Sequence, residues 1–178
     1  MLGHGAGGGV EAPDLVAATK AAWSSGLSVA LVEQPYRVAG RRSPAPANQL
    51  DAAWSTVVAQ LRDGSLRGID FVLTGGRSAG ARVACRTAAD TDSNGVVCLA
   101  FPLHPPGRPE KSRADELTAA GVPVLVVQGE TDAFGGPEEV AAVLAGRPDA
   151  SVYAVPGDHS LTQNPAVVAA AALHWLAS

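Results

Sequence analysis

Phe71-Val72-Leu73-Thr74-Gly75-Gly76-Arg77-Ser78-Ala79-Gly80 decides how the chain is read. Apolar residues suited to a buried strand run through glycines to a serine, and the helix-forming stretch Ala79 to Ala88 follows. Gly76, Ser78 and Gly80 fit G-x-S-x-G in the strand–turn–helix setting that gives the pattern its meaning. A serine on so sharp a turn needs small residues two before and two after it, or the strand and helix backbones collide. The turn pushes the hydroxyl outward and sets the amide of Ala79 beside it. The pattern also arises by chance in glycine-rich chains, so its placement between strand and helix carries the weight.

Other short apolar blocks flank this one. Ser28–Val32, Val96–Phe101, Val122–Val127 and Val152–Val155 are apolar on both faces, as strands covered on both sides of a parallel sheet are. Met1-Leu2-Gly3 reads as the end of one more strand. Between the blocks lie helical spacings. Asp14 opens a helix carrying Leu15, Val16, Ala18, Ala22 and Trp23, with Pro13 just outside it. Leu50, Ala53, Trp54, Val57, Val58 and Leu61 form a stripe of helical period that Asp63-Gly64 ends. Ala114–Ala120, Glu138–Leu144 and Pro165–Leu176 complete the set. Strands alternating with helices predict an α/β fold with a parallel sheet, in one domain over 1–178. Only 36–48, rich in proline and arginine, lacks a period and reads as a loop.

In open parallel sheets the chemistry gathers at the carboxyl ends of strands. A serine hydroxyl needs a base to take its proton, and the base needs an orienting carboxylate. Gln128-Gly129-Glu130-Thr131-Asp132 follows one strand and Pro156-Gly157-Asp158-His159-Ser160 follows another. Asp132 leads as the acid, with Glu130 and Asp158 as alternatives. His159 leads as the base, with His4 and His104 also after strands. The third loop, His4-Gly5-Ala6-Gly7-Gly8-Gly9, is suited to turning amides toward a developing oxyanion, with the Ala79 amide as the other half.

The same glycines invite a rival reading. Gly3-His4-Gly5-Ala6-Gly7-Gly8 fits G-x-G-x-x-G, and Glu33 closes the next strand, as in a dinucleotide-binding unit. There the helix begins inside the glycines, with the pyrophosphate at its N-terminus. Here Pro13 defers the helix to about Asp14, and the nucleotide reading leaves Ser78, Asp132 and His159 without a task.

Composition removes whole classes. With 47% hydrophobic and 17% charged residues, the chain has material for a core and is not disordered. Thirteen Lys and Arg against seventeen Asp and Glu give a net charge of −4, which argues against nucleic-acid or anionic-membrane partners. Two cysteines exclude a disulfide framework or cysteine-rich zinc module. The glycine-rich start has no basic segment followed by an apolar stretch, so no secretion signal is expected, and no apolar run approaches the roughly 20 residues of a membrane span. The expectation is a cytoplasmic protein of mild acidity.

Together, HGAGGG (4–9), GRSAG (76–80), Asp132 and GDHSL (157–161) resemble the α/β-hydrolase superfamily. HGAGGGVEAPDL (4–15), EQPYRVAGRRSPAP (33–46), GGRSAGARVA (75–84) and FPLHPPGRPEKSR (101–113) narrow this over nearly the whole chain. They resemble the small dienelactone-hydrolase-like family related to testis-expressed protein 30 and to a regulatory subunit of a histone acetyltransferase complex. The resemblance implies Ser78 as nucleophile, Asp132 as acid, His159 as base, and Gly5 and Ala6 with Ala79 as the oxyanion hole. True dienelactone hydrolases use a cysteine where this chain has Ser78, so their substrate does not carry over. The implied fold is an α/β-hydrolase fold: a mostly parallel sheet of about six strands with helices on both faces, without the usual first two strands or a large cap domain. In that strand order Met1–Gly3 is central, so so short a strand is expected to thin the middle of the sheet.

Arg37, Arg41 and Arg42 follow a strand on the site side and either belong to a solvated loop or pair with a carboxylate or phosphate of a substrate. His4 and His104 are further candidates for substrate contact, and Arg77 for ion pairing that supports the turn. Loop 104–113 lines or covers the site. Cys85 and Cys98 read as small core residues, Trp23, Trp54 and Trp175 as packing on the sheet, and His174 as structural or exposed. The expected activity is hydrolysis of carboxylic esters or similar small acyl substrates, through an acyl-enzyme and with no cofactor. The opposing expectations are a hydrolase-fold interaction module without catalysis and, less favoured, a dinucleotide binder.

Overall fold

The strands form where aliphatic residues run unbroken. In the computed structural model, which describes residues 1–41 and 43–177, these are β1 (Leu2–Gly3), β2 (Leu31–Val32), β3 (Leu73–Arg77), β4 (Gly95–Leu99), β5 (Val124–Gly129) and β6 (Ala150–Val155). They make one six-stranded sheet in the order β2-β1-β3-β4-β5-β6, and every described pairing is parallel. Parallel strands need crossovers, and helices supply them. These are α1 (Pro13–Ser24), α2 (Pro35–Val38), α3 (Ala47–Asp63), α4 (Ala79–Thr87), α5 (Ala114–Thr118), α6 (Pro137–Val143) and α7 (Pro165–Leu176).

Two cores sit on the two faces of the sheet. On one, α4, α5 and α6 bury Ala81, Ala84, Leu117 and Val140 against Val96, Cys98, Val124 and Val126. On the other, α1 and α7 bury Leu15, Ala18, Val168 and Ala172 against Val97, Leu99, Leu125 and Val127. Alternate residues of β4 and β5 thus feed opposite cores, which is why those strands read as apolar throughout. A third cluster packs Tyr36, Leu50, Trp54 and Val58 against Val83 of α4. Cys85 and Cys98 are both free and buried, as the sequence suggests.

Four readings are corrected. The strand foreseen over 28–32 shrinks to Leu31–Val32, with Leu31 exposed. It is the sheet edge, and its one neighbour, β1, offers only two residues to pair with. In the same strand order β1 is second from an edge rather than central, because only β2 lies beyond it. The loop foreseen from Tyr36 contains most of α2, and Tyr36 is buried. Trp23 is 75% exposed, because it falls two positions past buried Ala21, on the other side of α1. Arg42 lies outside the described residues. No described helix is long and apolar enough to cross a membrane.

Candidate active site

Gly75 and Gly76 lie within β3, which continues through Arg77, and Gly80 lies in the first turn of α4. Their role is close approach: a Cβ on Gly76 or on Gly80 would run into the carbonyl oxygen of Gly3. Strand β1 and the start of α4 can therefore meet directly beneath the serine. Ser78 follows with φ 51° and ψ −108°, a left-handed conformation that a non-glycine residue adopts only when its surroundings enforce it. Its amide donates to the Leu99 carbonyl at 2.9 Å, fixing the turn to β4.

The three candidate side chains meet from three strand ends. His159, in the loop after β6, places Nε2 2.9 Å from Ser78 Oγ and Nδ1 2.8 Å from Asp132 Oδ2. Asp132 follows β5 and its side chain is wholly buried. Its Oδ1 accepts the Phe134 amide at 2.8 Å, and its Oδ2 also accepts Nε2 of Gln128 at 2.9 Å. The rivals stand elsewhere. Glu130 is exposed, and Asp158 is tied to the Ser160 amide at 2.9 Å.

Sequence reasoning missed Gln128 and Phe134, which help to hold this arrangement, whereas Arg77 makes an ion pair as foreseen. Gln128, fully buried on β5, also accepts the Phe101 amide at 2.9 Å, so it joins the acid loop to the end of β4. A lone amide in an otherwise apolar strand, VLVVQG, was its only signal. The Phe134 ring lies 4.2 Å from the His159 ring, centroid to centroid. Arg77 places Nε 2.9 Å from Asp14 Oδ2 and donates from Nη2 to the His159 carbonyl at 3.0 Å. One guanidinium thus links the strained turn, the first turn of α1 and the histidine loop. Burial pushes the Asp14 carboxyl up from its ordinary value, with Arg77 pulling the other way. The N-terminus of α1, where the nucleotide reading needs a pyrophosphate, is occupied by this carboxylate.

The glycine loop is built from below. His4 is fully buried; Nδ1 donates to the Gly5 carbonyl at 2.8 Å and Nε2 accepts the Gln34 amide at 2.9 Å. Both ring nitrogens are engaged with backbone, so His4 lies under the loop rather than in contact with the cavity. The Tyr36 hydroxyl donates to the Ala6 carbonyl at 3.3 Å from the same side. Ala6 and Ala79 border the cavity at Ser78. Gly5 packs behind them, where a Cβ would come 2.7 Å from Arg77 Nη1 and 3.3 Å from Ser78 Cβ. Ala79 opens α4, so its amide has no carbonyl one turn back within the helix.

The cavity over Ser78 measures about 350 Å³, and its walls include Pro44, Leu50, Pro102 and Phe134. Arg37, Arg41 and His104 do not border it. His104 instead bonds the Pro105 carbonyl at 3.0 Å and Glu139 at 3.2 Å. The arginines at the cavity are Arg77, Arg82, Arg86 and Arg113. Arg82 and Arg86 follow Ser78 at steps of four along α4, a spacing visible in the sequence but not read as one face. A larger apolar cavity of about 540 Å³, bordered by Met1, Leu27, Ile69 and Phe71, lies at the amino ends of the strands and has no charged side chain in its wall. Among the described residues no cluster of His, Cys, Asp and Glu is arranged to hold a metal.

Residues 1–171 match a family described as an alpha/beta hydrolase domain. Solved structures share the architecture at low identity. A serine hydrolase without a lid from Xanthomonas campestris superposes with a TM-score of 0.77 at 19% identity, over 99% of this chain and 80% of the other. The Butyrivibrio proteoclasticus protein Est1E, solved with ferulic acid bound, gives 0.77 at 16% identity, over 99% and 86%. An alpha-beta serine hydrolase homologue from Coxiella burnetii gives 0.77 at 15%, over 98% and 84%. The fold is the alpha/beta hydrolase fold.

Proposed function

The chain belongs to the alpha/beta hydrolase domain family, and from that premise we propose that it is a serine hydrolase of carboxylic esters or related small acyl compounds. The observation that carries this reading is the hydrogen-bonded line from Asp132 through His159 to Ser78, at 2.8 and 2.9 Å. Such a line removes the serine proton as the hydroxyl attacks, which an isolated serine cannot achieve near neutrality.

Ser78 Oγ adds to the acyl carbon while its proton passes to His159 Nε2. Asp132, held by Gln128 and the Phe134 amide, keeps Nδ1 protonated and stabilises the imidazolium. The oxyanion is met by the amides of Ala79 and the glycine loop, Ala6 foremost. On collapse the alcohol leaves with the proton from His159. Water then attacks the acyl-serine, yields its proton to His159, and releases the acid as that proton returns to Ser78. The acyl portion is short, since the cavity is small and the described residues form no large cap over it. No step calls on a cofactor.

The test is hydrolysis of 4-nitrophenyl acetate by the wild type and Ser78→Ala. The wild type turns over, and the variant loses on the order of 10⁴-fold or more in kcat while remaining folded. A folded wild type inert toward esters from acetate to hexanoate returns the chain to the non-catalytic module.

A further inference from the structure

Among the described residues, the cavity beside Ser78 has four arginines in its wall and no acidic residue. Three of the guanidiniums are matched from behind. Arg77 faces Asp14. Arg86 forms a two-pronged pair with Asp51, at 2.8 and 2.6 Å, and reaches Glu116 with its third nitrogen at 2.7 Å. Arg82 pairs through Nε and Nη2 with Glu116, at 2.7 and 2.6 Å, and among the described residues its Nη1 has no hydrogen-bond partner. Arg113 is different. Its Nη1 donates to the Pro102 carbonyl at 2.8 Å, and among the described residues it pairs with no carboxylate. Four guanidiniums meet three carboxylates, so one positive charge is left over at the mouth of the site. Burial, and then neighbouring Arg82, lower the Arg113 proton affinity, and the field of Glu116, already bonded to Arg82 and Arg86, offsets them only in part.

A partly buried cation without a counterion is costly unless a ligand supplies the charge. Guanidinium groups pair with carboxylates through parallel donors, and Arg113 and Arg82 have such donors left. Arg82 stands one helical turn beyond Ser78, about 6 Å along the axis of α4, so a group held there lies a few bonds from the attacked carbon.

We propose that the substrates are half-esters of short dicarboxylic acids, whose free carboxylate is held by Arg113 and Arg82 while Ser78 attacks the ester carbonyl. This rests on the serine-hydrolase reading above and specifies its substrate class. The ester C–O bond breaks, the alcohol leaves with a proton from His159, and water completes hydrolysis. A half-ester anion and water thus give an alcohol, a dicarboxylate and one proton.

The experiment compares kcat/KM for monomethyl glutarate and its uncharged counterpart, methyl pentanoate, in the wild type, Arg113→Gln and Arg113→Lys. A small neutral fluorophosphonate probe reports separately on the reactivity of the serine. We expect the wild type to favour the half-ester by on the order of tenfold or more, since charged hydrogen bonds contribute at that scale. The preference shrinks with added salt. It collapses in Arg113→Gln and is partly kept in Arg113→Lys. Glutarate, unlike pentanamide, slows wild-type labelling by the probe, which tests the idea even if the variants do not fold. A wild type that reacts with the probe yet hydrolyses both esters equally overturns the charge proposal and leaves the hydrolase reading standing. A folded wild type that does not react with the probe overturns both.

Discussion

The two halves of the sheet are built to different standards. From β3 to β6 each strand contributes five or six residues, and β4 and β5 are buried along their whole length. The other half, β1 and β2, has two residues in each strand. The catalytic candidates divide along that line. Ser78, Asp132 and His159 all hang from the thick half, whereas the glycine loop proposed to face the oxyanion hangs from the thin half. Ladder hydrogen bonds therefore position the three side chains, and the loop depends on side chains beneath it. His4, Tyr36 and Arg77 fill that role, each bonding to backbone or packing against it.

The sharpest way to break the thick half is Gln128→Leu. It removes the donor to Asp132 and the acceptor for the buried Phe101 amide together. Stranding such groups costs about 1–3 kcal/mol each. Denaturant titration should show about 3 kcal/mol lost, with kcat down on the order of tenfold to a hundredfold as Asp132 loosens. In the thin half, His4→Phe leaves the Gln34 amide without its acceptor and the loop without its lower tether. We expect about 1–2 kcal/mol of stability lost. The activity defect falls on kcat rather than KM, because the oxyanion exists only after attack. If KM alone rises, the loop serves substrate binding instead.

The smallest effect concerns the arginine row on α4. Burial works against the Glu116 charge, but Arg82 and Arg86 outweigh it and hold the carboxyl below its usual range. A depressed folded-state value contributes stability above the ordinary glutamate range, and that contribution disappears as pH falls through the depressed value. Glu116→Gln should thus melt below the wild type at pH 7, by about 1 kcal/mol for a partly exposed network. The gap in thermal midpoint closes on acidification. A gap independent of pH would assign the loss to packing.

The thick half is also the legible half. A serine between glycines, followed by an acid and a histidine after later strands, is a pattern of adjacent residues and strand ends, which sequence displays directly. Gln128 was not legible, because its partners lie in other loops and a strand-end glutamine looks like any polar stop. Nor was the edge status of β2, since Leu31-Val32 is as apolar as any buried strand and only the strand order exposes it. The arginines were misplaced for a related reason. Arg37 and Arg41 stand out in a loop of unusual composition, whereas Arg82 and Arg86 sit within an ordinary helix and gain meaning from its phase relative to Ser78.

The most direct measurement is peptide mapping by mass spectrometry after a fluorophosphonate probe reacts with the wild type, Ser78→Ala and His159→Ala. One adduct on Ser78, absent from the first variant and strongly slowed in the second, is the result the account predicts. A folded wild type that takes up no probe, or takes it up at another residue with Ser78 untouched, would contradict it.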